Sequence, residues 1–107
     1  MPTSDPQLQR MAQCLKALGH PGRLAILRLV VQGPVEGTPA GELQGRLAMP
    51  GSTLSHHLSD LAEAGLLAPK RQGTTIRYAA CFDALRTLTD YFWQDCCRGG
   101  CRDPHCP

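Results

Sequence analysis

The sequence lacks the long apolar runs of a membrane protein. No stretch of its 107 residues approaches the roughly 18 uninterrupted apolar residues that a membrane-spanning helix needs. Residues 1–6 read Met-Pro-Thr-Ser-Asp-Pro and lack the apolar segment of a secretory signal. We therefore expect a cytoplasmic protein. The length suffices for one modest core and is too short for two ordinary domains.

An excess of charge of one sign and the common catalytic motifs are also missing. Eleven Lys and Arg residues against nine Asp and Glu residues give a formal net charge of +2, which only weakly favours anionic partners. The chain has no glycine-rich cofactor loop, and no grouping of cysteine, histidine and acid stands out as a catalytic arrangement. We therefore expect that the protein is not an enzyme.

Cysteine is too scarce and too unevenly placed for a disulfide scaffold. Six cysteines are roughly 6% of the chain, below the roughly 8 to 10% of such scaffolds. Cys14 and Cys81 are isolated and are interpreted as ordinary small residues. The other four lie within the last twelve positions: Cys96, Cys97, Cys101 and Cys106. This placement favours metal or redox chemistry at the C-terminus over structural disulfides.

Proline and glycine mark where the helices of the first half begin and end. Asp5 followed by Pro6 is typical of a helix start, and Gly19 ends the apolar repeat that follows. Thr38 followed by Pro39 repeats the signature and predicts Thr38 as the cap of a short third helix. The predicted helices cover residues 6–18, 21–32, 39–47 and 52–64.

After the fourth predicted helix, the pattern becomes extended. Residues 66–71 and 74–79 predict two strands joined by a turn at Gly73. Pro69 cannot donate a hydrogen bond to a neighbouring strand, so its strand is expected at a sheet edge. The helical period then returns from Phe82 and is expected to fade near Cys97. The expected fold class is mainly α with a small β-hairpin.

The fourth predicted helix carries a polar face suited to DNA. With Leu54, Leu58 and Leu61 turned inward, the helical period places small hydrogen-bonding side chains outward. These side chains can reach base edges or phosphates without holding the helix out of the major groove. The outward residues are Ser52, His56, Ser59 and Glu63, flanked by Ser55 and Asp60, whereas His57 falls nearer the buried side. A merely solvated face is the alternative.

Positive charge on the predicted hairpin adds to this interpretation. Lys70, Arg71 and Arg77 could touch phosphates or a minor groove beside the helix. Alone, such a cluster would usually be solubilising surface. The order of short helix, turn, polar-faced helix and basic hairpin is the one that a winged helix-turn-helix requires.

Several segments together resemble the ArsR/SmtB family of bacterial winged-helix regulators, over roughly residues 8–95. They are the run from Leu18 to Leu27 (LGHPGRLAIL), then Gly41-Glu42-Leu43, then Ser52 to Leu58 (STLSHHL), then Leu61 to Leu66 (LAEAGL), with Arg71, Gly73, Arg77 and Tyr78. The resemblance implies a homodimer that binds operator DNA and leaves it when a metal or metalloid binds. It further implies dimerisation through the first and last helices, which here carry two apolar stripes: Leu8, Met11, Leu15 and Leu18, and Leu85, Leu88 and Phe92.

The resemblance also implies which residues contact DNA. Positions matching Ser52, Ser55 and His56 contact DNA in the family, and the wing matching Lys70 to Arg77 grips the backbone. The full predicted DNA-binding set is Ser52, Thr53, Ser55, His56, Ser59, Lys70, Arg71 and Arg77. A dimer is also favoured independently, because one recognition helix reads few bases and two copies read half-sites about one helical turn apart.

The usual sensor motifs of the family are absent. Its best-known Cys-x-Cys pair corresponds to residues 40–47, which contain no cysteine, and its zinc site on the last helix needs histidine, which residues 82–95 lack. Some arsenic-responsive members resemble this chain instead, with a Cys-Cys pair at the end of the last helix and a third cysteine soon after. The predicted metalloid ligands are Cys96, Cys97 and Cys101.

Trivalent arsenic and antimony suit three thiolates. As(III) and Sb(III) are soft and hold three sulfur ligands in a pyramid, and Gly99 and Gly100 permit the reversal that would return Cys101 to the site. Cys106, with or without His105, could instead complete four ligands for zinc or cadmium. We expect a DNA-binding and dimerisation domain over residues 6–97 and a cysteine-rich tail over 98–107.

Other functions stay open at this point. A vicinal dithiol could act as a redox switch on the same fold. A thiol oxidoreductase, an arsenic-modifying catalyst or a zinc-stabilised interaction module are alternatives of other classes, and a tail with incidental cysteines is the simplest one. The favoured hypothesis is a repressor that As(III) or Sb(III) releases from its operator.

Overall fold

The computed structural model of the protein describes residues 3–99. Its elements are α1 (Pro6–Leu18), α2 (Pro21–Gln32), β1 (Thr38–Pro39), α3 (Ala40–Leu47), α4 (Gly51–Glu63), β2 (Leu67–Gln72), β3 (Thr75–Ala80) and α5 (Phe82–Tyr91). Within this part of the chain, no helix is both long enough and apolar enough to cross a bilayer. All the predicted helices and both strands of the hairpin are present.

The first two helices begin as the local sequence predicts. The carboxylate of Asp5 accepts a 3.0 Å hydrogen bond from the backbone N–H of Gln7, directly before a proline at the first helical position. The imidazole Nδ1 of His20 accepts a 3.0 Å bond from the N–H of Gly22 in the same way. Each side chain satisfies a backbone donor that the first turn leaves without a partner.

The predicted cap at Thr38 is wrong. Thr38 and Pro39 form β1, which pairs antiparallel with β3 opposite Tyr78 and Arg77. Thr38 is only 2% exposed, and α3 begins after Pro39 with no side-chain cap. Pairing with a strand from the second half of the chain therefore overrides the local cap signal. The predicted hairpin is correspondingly a three-stranded antiparallel sheet in the order β1-β3-β2.

The hairpin itself agrees with the sequence to within one residue. β2 pairs with β3 from Leu67 opposite Ala80 to Gln72 opposite Thr75. Pro69 lies on β2, which is an edge strand as expected. The turn between the strands contains Gly73 with a φ of 63°, which glycine adopts at little steric cost.

The core lies where α1, α2 and α4 meet the sheet. Its largest fully buried side chains are Ile26, Val30, Leu43, Leu58, Leu61, Leu66 and Leu67. Leu54, Leu58 and Leu61 face this core as predicted. At the end of α4, Gly65 takes a φ of 79°, and the N–H of Leu66 bonds to the carbonyl of Leu61 at 3.0 Å. This closing turn leads the chain directly from α4 into the sheet.

The last helix ends earlier than predicted. α5 stops at Tyr91, and residues 92–99 continue as turns. The N–H of Trp93 bonds to the carbonyl of Asp90, and that of Cys96 to Trp93, both at 3.0 Å. Such three-residue bonds are tighter than those of an α-helix. The extension towards Cys97 is thus a series of tight turns rather than regular helix.

Candidate nucleic-acid interface and C-terminal thiols

α4 presents a polar face to the exterior and holds an apolar face in the core. Its predicted DNA-contact residues Ser52, Thr53, Ser55, His56 and Ser59 are all exposed. The inner face packs against α2, α1 and β2. The helix is therefore held from three sides, while its hydroxyl-rich outer face is open. Short α3 precedes it across a tight turn, which completes the helix-turn-helix arrangement.

His56 contacts Asp60, which in turn pairs with Arg23. Its Nε2 lies 3.5 Å from a carboxylate oxygen of Asp60, one helical turn further on. The same oxygen lies 3.5 Å from Arg23 Nη1, while Arg23 Nε donates a 2.6 Å bond to the carbonyl of Ala17. Arg23 was not among the residues predicted from the sequence, and Asp60 was placed only at the flank of the face. The four-residue spacing of His56 and Asp60 on one helix is the signal that could have found their contact.

His57 is a packing residue, as expected. It is 7% exposed, and its ring centre lies 4.6 Å from that of His20. Its Nδ1 has no hydrogen-bond partner among the described residues. Burial lowers the pKa of His57, and the neighbouring His20, Arg23 and His56 lower it further, against a smaller opposing effect of Asp60. Burial and the neighbouring positive charges thus favour the neutral ring over the charged one.

The wing consists of β2, β3 and the turn between them. Its three predicted cations differ in whether they are exposed or bonded within the chain. Lys70 and Arg71 are exposed on β2, with Lys70 opposite Arg77 on β3. The guanidinium of Arg77 bonds within the chain: Nε donates to Gln72 Oε1 at 2.8 Å and Nη1 donates to the carbonyl of Gly37 at 2.9 Å. Lys70 and Arg71 thus supply the exposed positive charge, and Arg77 joins the wing to the loop before β1.

The structure brings the sulfurs of two of the predicted metalloid ligands together. The Sγ atoms of Cys96 and Cys97 lie 2.8 Å apart, and both residues are half-buried. Cys97 is disulfide-bonded, and because a disulfide spans about 2.05 Å, the contact with Cys96 is not that bond. Within residues 3–99, no group of three or more His, Cys, Asp or Glu side chains is arranged to hold a metal ion.

The remaining predicted ligands lie outside the described residues. These are Cys101, Cys106 and His105. Of the predicted tail, only positions 98 and 99 are described. The structure therefore bears on the vicinal pair alone, and the three-thiol site stays a prediction.

The predicted dimerisation stripes divide between the core and the exterior. Met11 and Leu88 are buried within the chain, whereas Leu15 is 44% and Phe92 57% exposed. Trp93, which was not predicted as part of a stripe, is 61% exposed. α1 and α5 contact each other. Exposed apolar side chains therefore lie on α1 and just beyond the end of α5, the two helices that the family resemblance assigns to the dimer.

Comparisons with known proteins agree with this architecture. A helix-turn-helix domain model matches residues 18–69. The chain is 34% identical to the HTH-type transcriptional regulator YgaV of Escherichia coli, over 75% of this chain and 79% of that protein. It is 30% identical to the biofilm growth-associated repressor of Agrobacterium fabrum, over 91% of this chain and 80% of that protein.

A solved structure extends the agreement to the whole fold. The homodimeric winged helix-turn-helix DNA-binding domain Mb0332 of Mycobacterium bovis, a possible ArsR-family regulator, superposes with a TM-score of 0.69 at 27% identity, over 89% of each chain. The winged fold is thereby confirmed. Because the curated relatives are transcriptional regulators, the expectation that the protein is not an enzyme is confirmed too. The chain belongs to the ArsR family of winged helix-turn-helix, DNA-binding transcriptional regulators.

Proposed function

We propose that the protein is a homodimeric repressor that leaves its operator when As(III) or Sb(III) binds Cys96, Cys97 and Cys101. The observation that carries the metalloid part is the 2.8 Å separation of the Cys96 and Cys97 sulfurs. Once the disulfide at Cys97 is reduced, two thiolates so close can share one soft ion, and trivalent arsenic needs only one more sulfur. Cys101 supplies it in this proposal, and Cys106 is the candidate fourth ligand if the inducer is zinc or cadmium.

DNA binding is assigned to α4 and the wing. The exposed side chains of Ser52, Thr53, Ser55, His56 and Ser59 enter the major groove, where hydroxyls and imidazole meet base edges and phosphates. Lys70 and Arg71 bind the adjacent phosphates. The open polar face of α4, held rigidly from behind, supports this docking.

The homodimer is supported by the exposed apolar side chains on α1 and just beyond the end of α5. Leu15, Phe92 and Trp93 expose 44%, 57% and 61% of their surfaces, and a related domain is homodimeric. Covering these side chains removes apolar surface from water and favours association. Two copies related by a two-fold axis present two α4 helices to half-sites about one helical turn apart.

Release follows from linkage between the two sites. An ion weakens DNA binding only if it binds the DNA-free conformation better. The cysteine pair follows α5 across the turns of residues 92–95, so a rearrangement of this segment around the ion alters the spacing of the two winged helices and disturbs their simultaneous docking. Operator DNA then weakens metalloid binding by the same factor.

The test is operator binding by reduced protein, with and without As(III). Fluorescence anisotropy on the promoter upstream of the gene should show tight binding that As(III) reverses. Cys96→Ser, Cys97→Ser and Cys101→Ser should each bind DNA normally and resist release, because two sulfurs hold the ion more weakly than three. Cys81→Ser, which alters a half-buried cysteine away from the pair, is the matched control and should respond normally. Retained release in all three variants contradicts the metalloid proposal.

A second candidate is a repressor that responds to thiol oxidation. The disulfide at Cys97 favours it. An external dithiol that supplies two electrons and two protons reduces this bond to two thiols, and a disulfide oxidant that takes up the same electrons and protons restores it. Here operator affinity differs between thiol-reduced and disulfide-oxidised protein without any metalloid. Equal affinities of the two forms, together with As(III)-induced release, select the metalloid sensor.

A further inference from the structure

Arg77 occupies a central position between the wing and the body of the domain. In the sheet, Arg77 of β3 pairs with Pro39 of β1 on one side and with Lys70 of β2 on the other side. Its side chain reaches back rather than outward: Nε donates to Gln72 Oε1 at 2.8 Å, and Nη1 donates to the carbonyl of Gly37 at 2.9 Å. Two donors of one guanidinium therefore hold two separate segments.

Each of these two partners belongs to a different part of the fold. Gln72 is the last residue of β2, immediately before the wing turn. Gly37 precedes β1 in the loop that leaves α2, and its N–H bonds back to the carbonyl of Pro34 at 3.0 Å. The guanidinium thus connects the tip of the wing with the loop that returns from the helical body.

The loop is shaped to bring its carbonyl to Arg77. Gly37 has a φ of 107°, and a Cβ there would lie 3.0 Å from both the carbonyl carbon and the carbonyl oxygen of Tyr78. Only glycine fits so close an approach to the β3 backbone in this conformation. The Gly37 carbonyl is therefore placed beside β3 by the backbone itself, and Arg77 meets it there.

We propose that Arg77 is the positioning residue of the wing, which sets the angle of the hairpin on DNA, and that Lys70 and Arg71 rather than Arg77 carry the phosphate contacts. The inference rests on the proposed contact of the wing with DNA. A guanidinium offers its donors in a fixed planar fork, so it can satisfy the Gln72 and Gly37 oxygens together. A lysine ammonium at the end of a flexible chain keeps the charge but loses the fork.

The test compares charge-keeping and charge-removing variants. Arg77→Lys and Arg77→Gln should weaken operator binding to a similar extent, roughly tenfold, because both lose the fork and must order the wing on binding. Arg71→Gln is the matched control, since it removes an exposed charge from the neighbouring strand. It should lower the magnitude of the slope of log K against log salt by about 0.9 for each phosphate that the variant no longer neutralises.

Hydrogen exchange in the DNA-free protein distinguishes a positioning role of Arg77 from a direct contact of Arg77 with phosphate. Hydrogen exchange should be faster in both Arg77 variants at residues 34–39 and 70–77, with α4 protected as in the wild type. A residue that only contacts phosphate would leave exchange in the free protein unchanged. Circular dichroism confirms that the variants fold.

The outcomes are distinct. Near-wild-type binding by Arg77→Lys, or exchange in both Arg77 variants equal to the wild type, overturns the inference and assigns Arg77 to phosphate. If Lys70→Gln and Arg71→Gln leave affinity and salt slope unchanged, the wing does not contact DNA and the proposed docking fails instead. Faster exchange with equal losses of affinity in Arg77→Lys and Arg77→Gln supports the positioning role.

Discussion

Acid should destabilise this protein through His57. The ring is 7% exposed, and burial lowers its pKa, with His20, Arg23 and His56 adding to the effect. In the unfolded chain the same ring titrates near its ordinary pKa of about 6.5. The folded protein therefore binds fewer protons than the unfolded one in this range. The free energy of unfolding is unaffected well above about pH 6.5, and it falls as the pH drops below that value until the folded pKa is reached.

The size of the effect has a clear upper limit. If the unfolded ring is protonated and the folded ring is not, each pH unit of acidification lowers the free energy of unfolding by about 1.4 kcal/mol. The unfolded ring is protonated only below about pH 6.5, so acidification from about pH 7.5 to about pH 5.5 lowers this free energy through His57 by at most about 1.4 kcal/mol. For a domain of this length, that upper limit corresponds to a fall in the melting temperature of at most roughly 6 °C. Asp60, which favours the charged ring, reduces the fall.

Thermal melts of the wild type and of His57→Gln measure this contribution. The glutamine does not titrate, so its melting temperature should fall less than that of the wild type over the same pH interval. His20→Asn keeps a side-chain acceptor for the cap on Gly22 and removes the facing ring, so it should also reduce the pH dependence. An acid-induced fall in His57→Gln as large as in the wild type would refute the reasoning.

Three further predictions concern stability, each measured by urea denaturation. Leu61→Ala should cost about 3 to 5 kcal/mol because Leu61 is 0% exposed and its removal leaves a cavity; a destabilisation below about 1 kcal/mol would contradict this. Gly37→Ala should cost at least about 1 kcal/mol, since the φ of 107° and the 3.0 Å approach to Tyr78 both oppose a Cβ; an unchanged midpoint would show that the loop moves away freely. Asp5→Ala should cost about 1 kcal/mol because it removes the cap on Gln7, whereas Asp5→Asn should retain most of it.

The features that the sequence predicted correctly are those encoded by near neighbours. The Asp5 cap, the inward face of α4 and the edge position of Pro69 each follow from a few adjacent residues or from a helical period. The fold of the wing and the open polar face of α4 could be placed in the same way. The vicinal pair at Cys96 and Cys97 could be found because adjacency in sequence already restricts the distance between the two sulfurs.

The features that the sequence missed depend on distant partners. Thr38 carries a good cap signal, but its strand partner is Tyr78, forty positions away. The role of Arg77 depends on Gly37, whose approach to β3 no local pattern encodes. The contact of Arg23 with Asp60 joins α2 to α4 across 37 positions. In each case, the role of the residue is decided by a contact with a residue far away in sequence, which the neighbouring residues do not predict.

In the proposed mechanism, α1 is the element through which a change at the end of α5 reaches α4. It contacts α5 as well as α2 and α4. At its centre, the buried thiol of Cys14 lies 3.6 Å from the carbonyl of Ala64 at the end of α4. Since packed helices shift as units rather than deform continuously, a change at the end of α5 that moves α1 also moves the base of α4. Each recognition helix is thus mechanically joined to the same helix that the proposed dimer interface uses, so one displacement can alter both the spacing of the two protomers and the angle at which each reads its half-site.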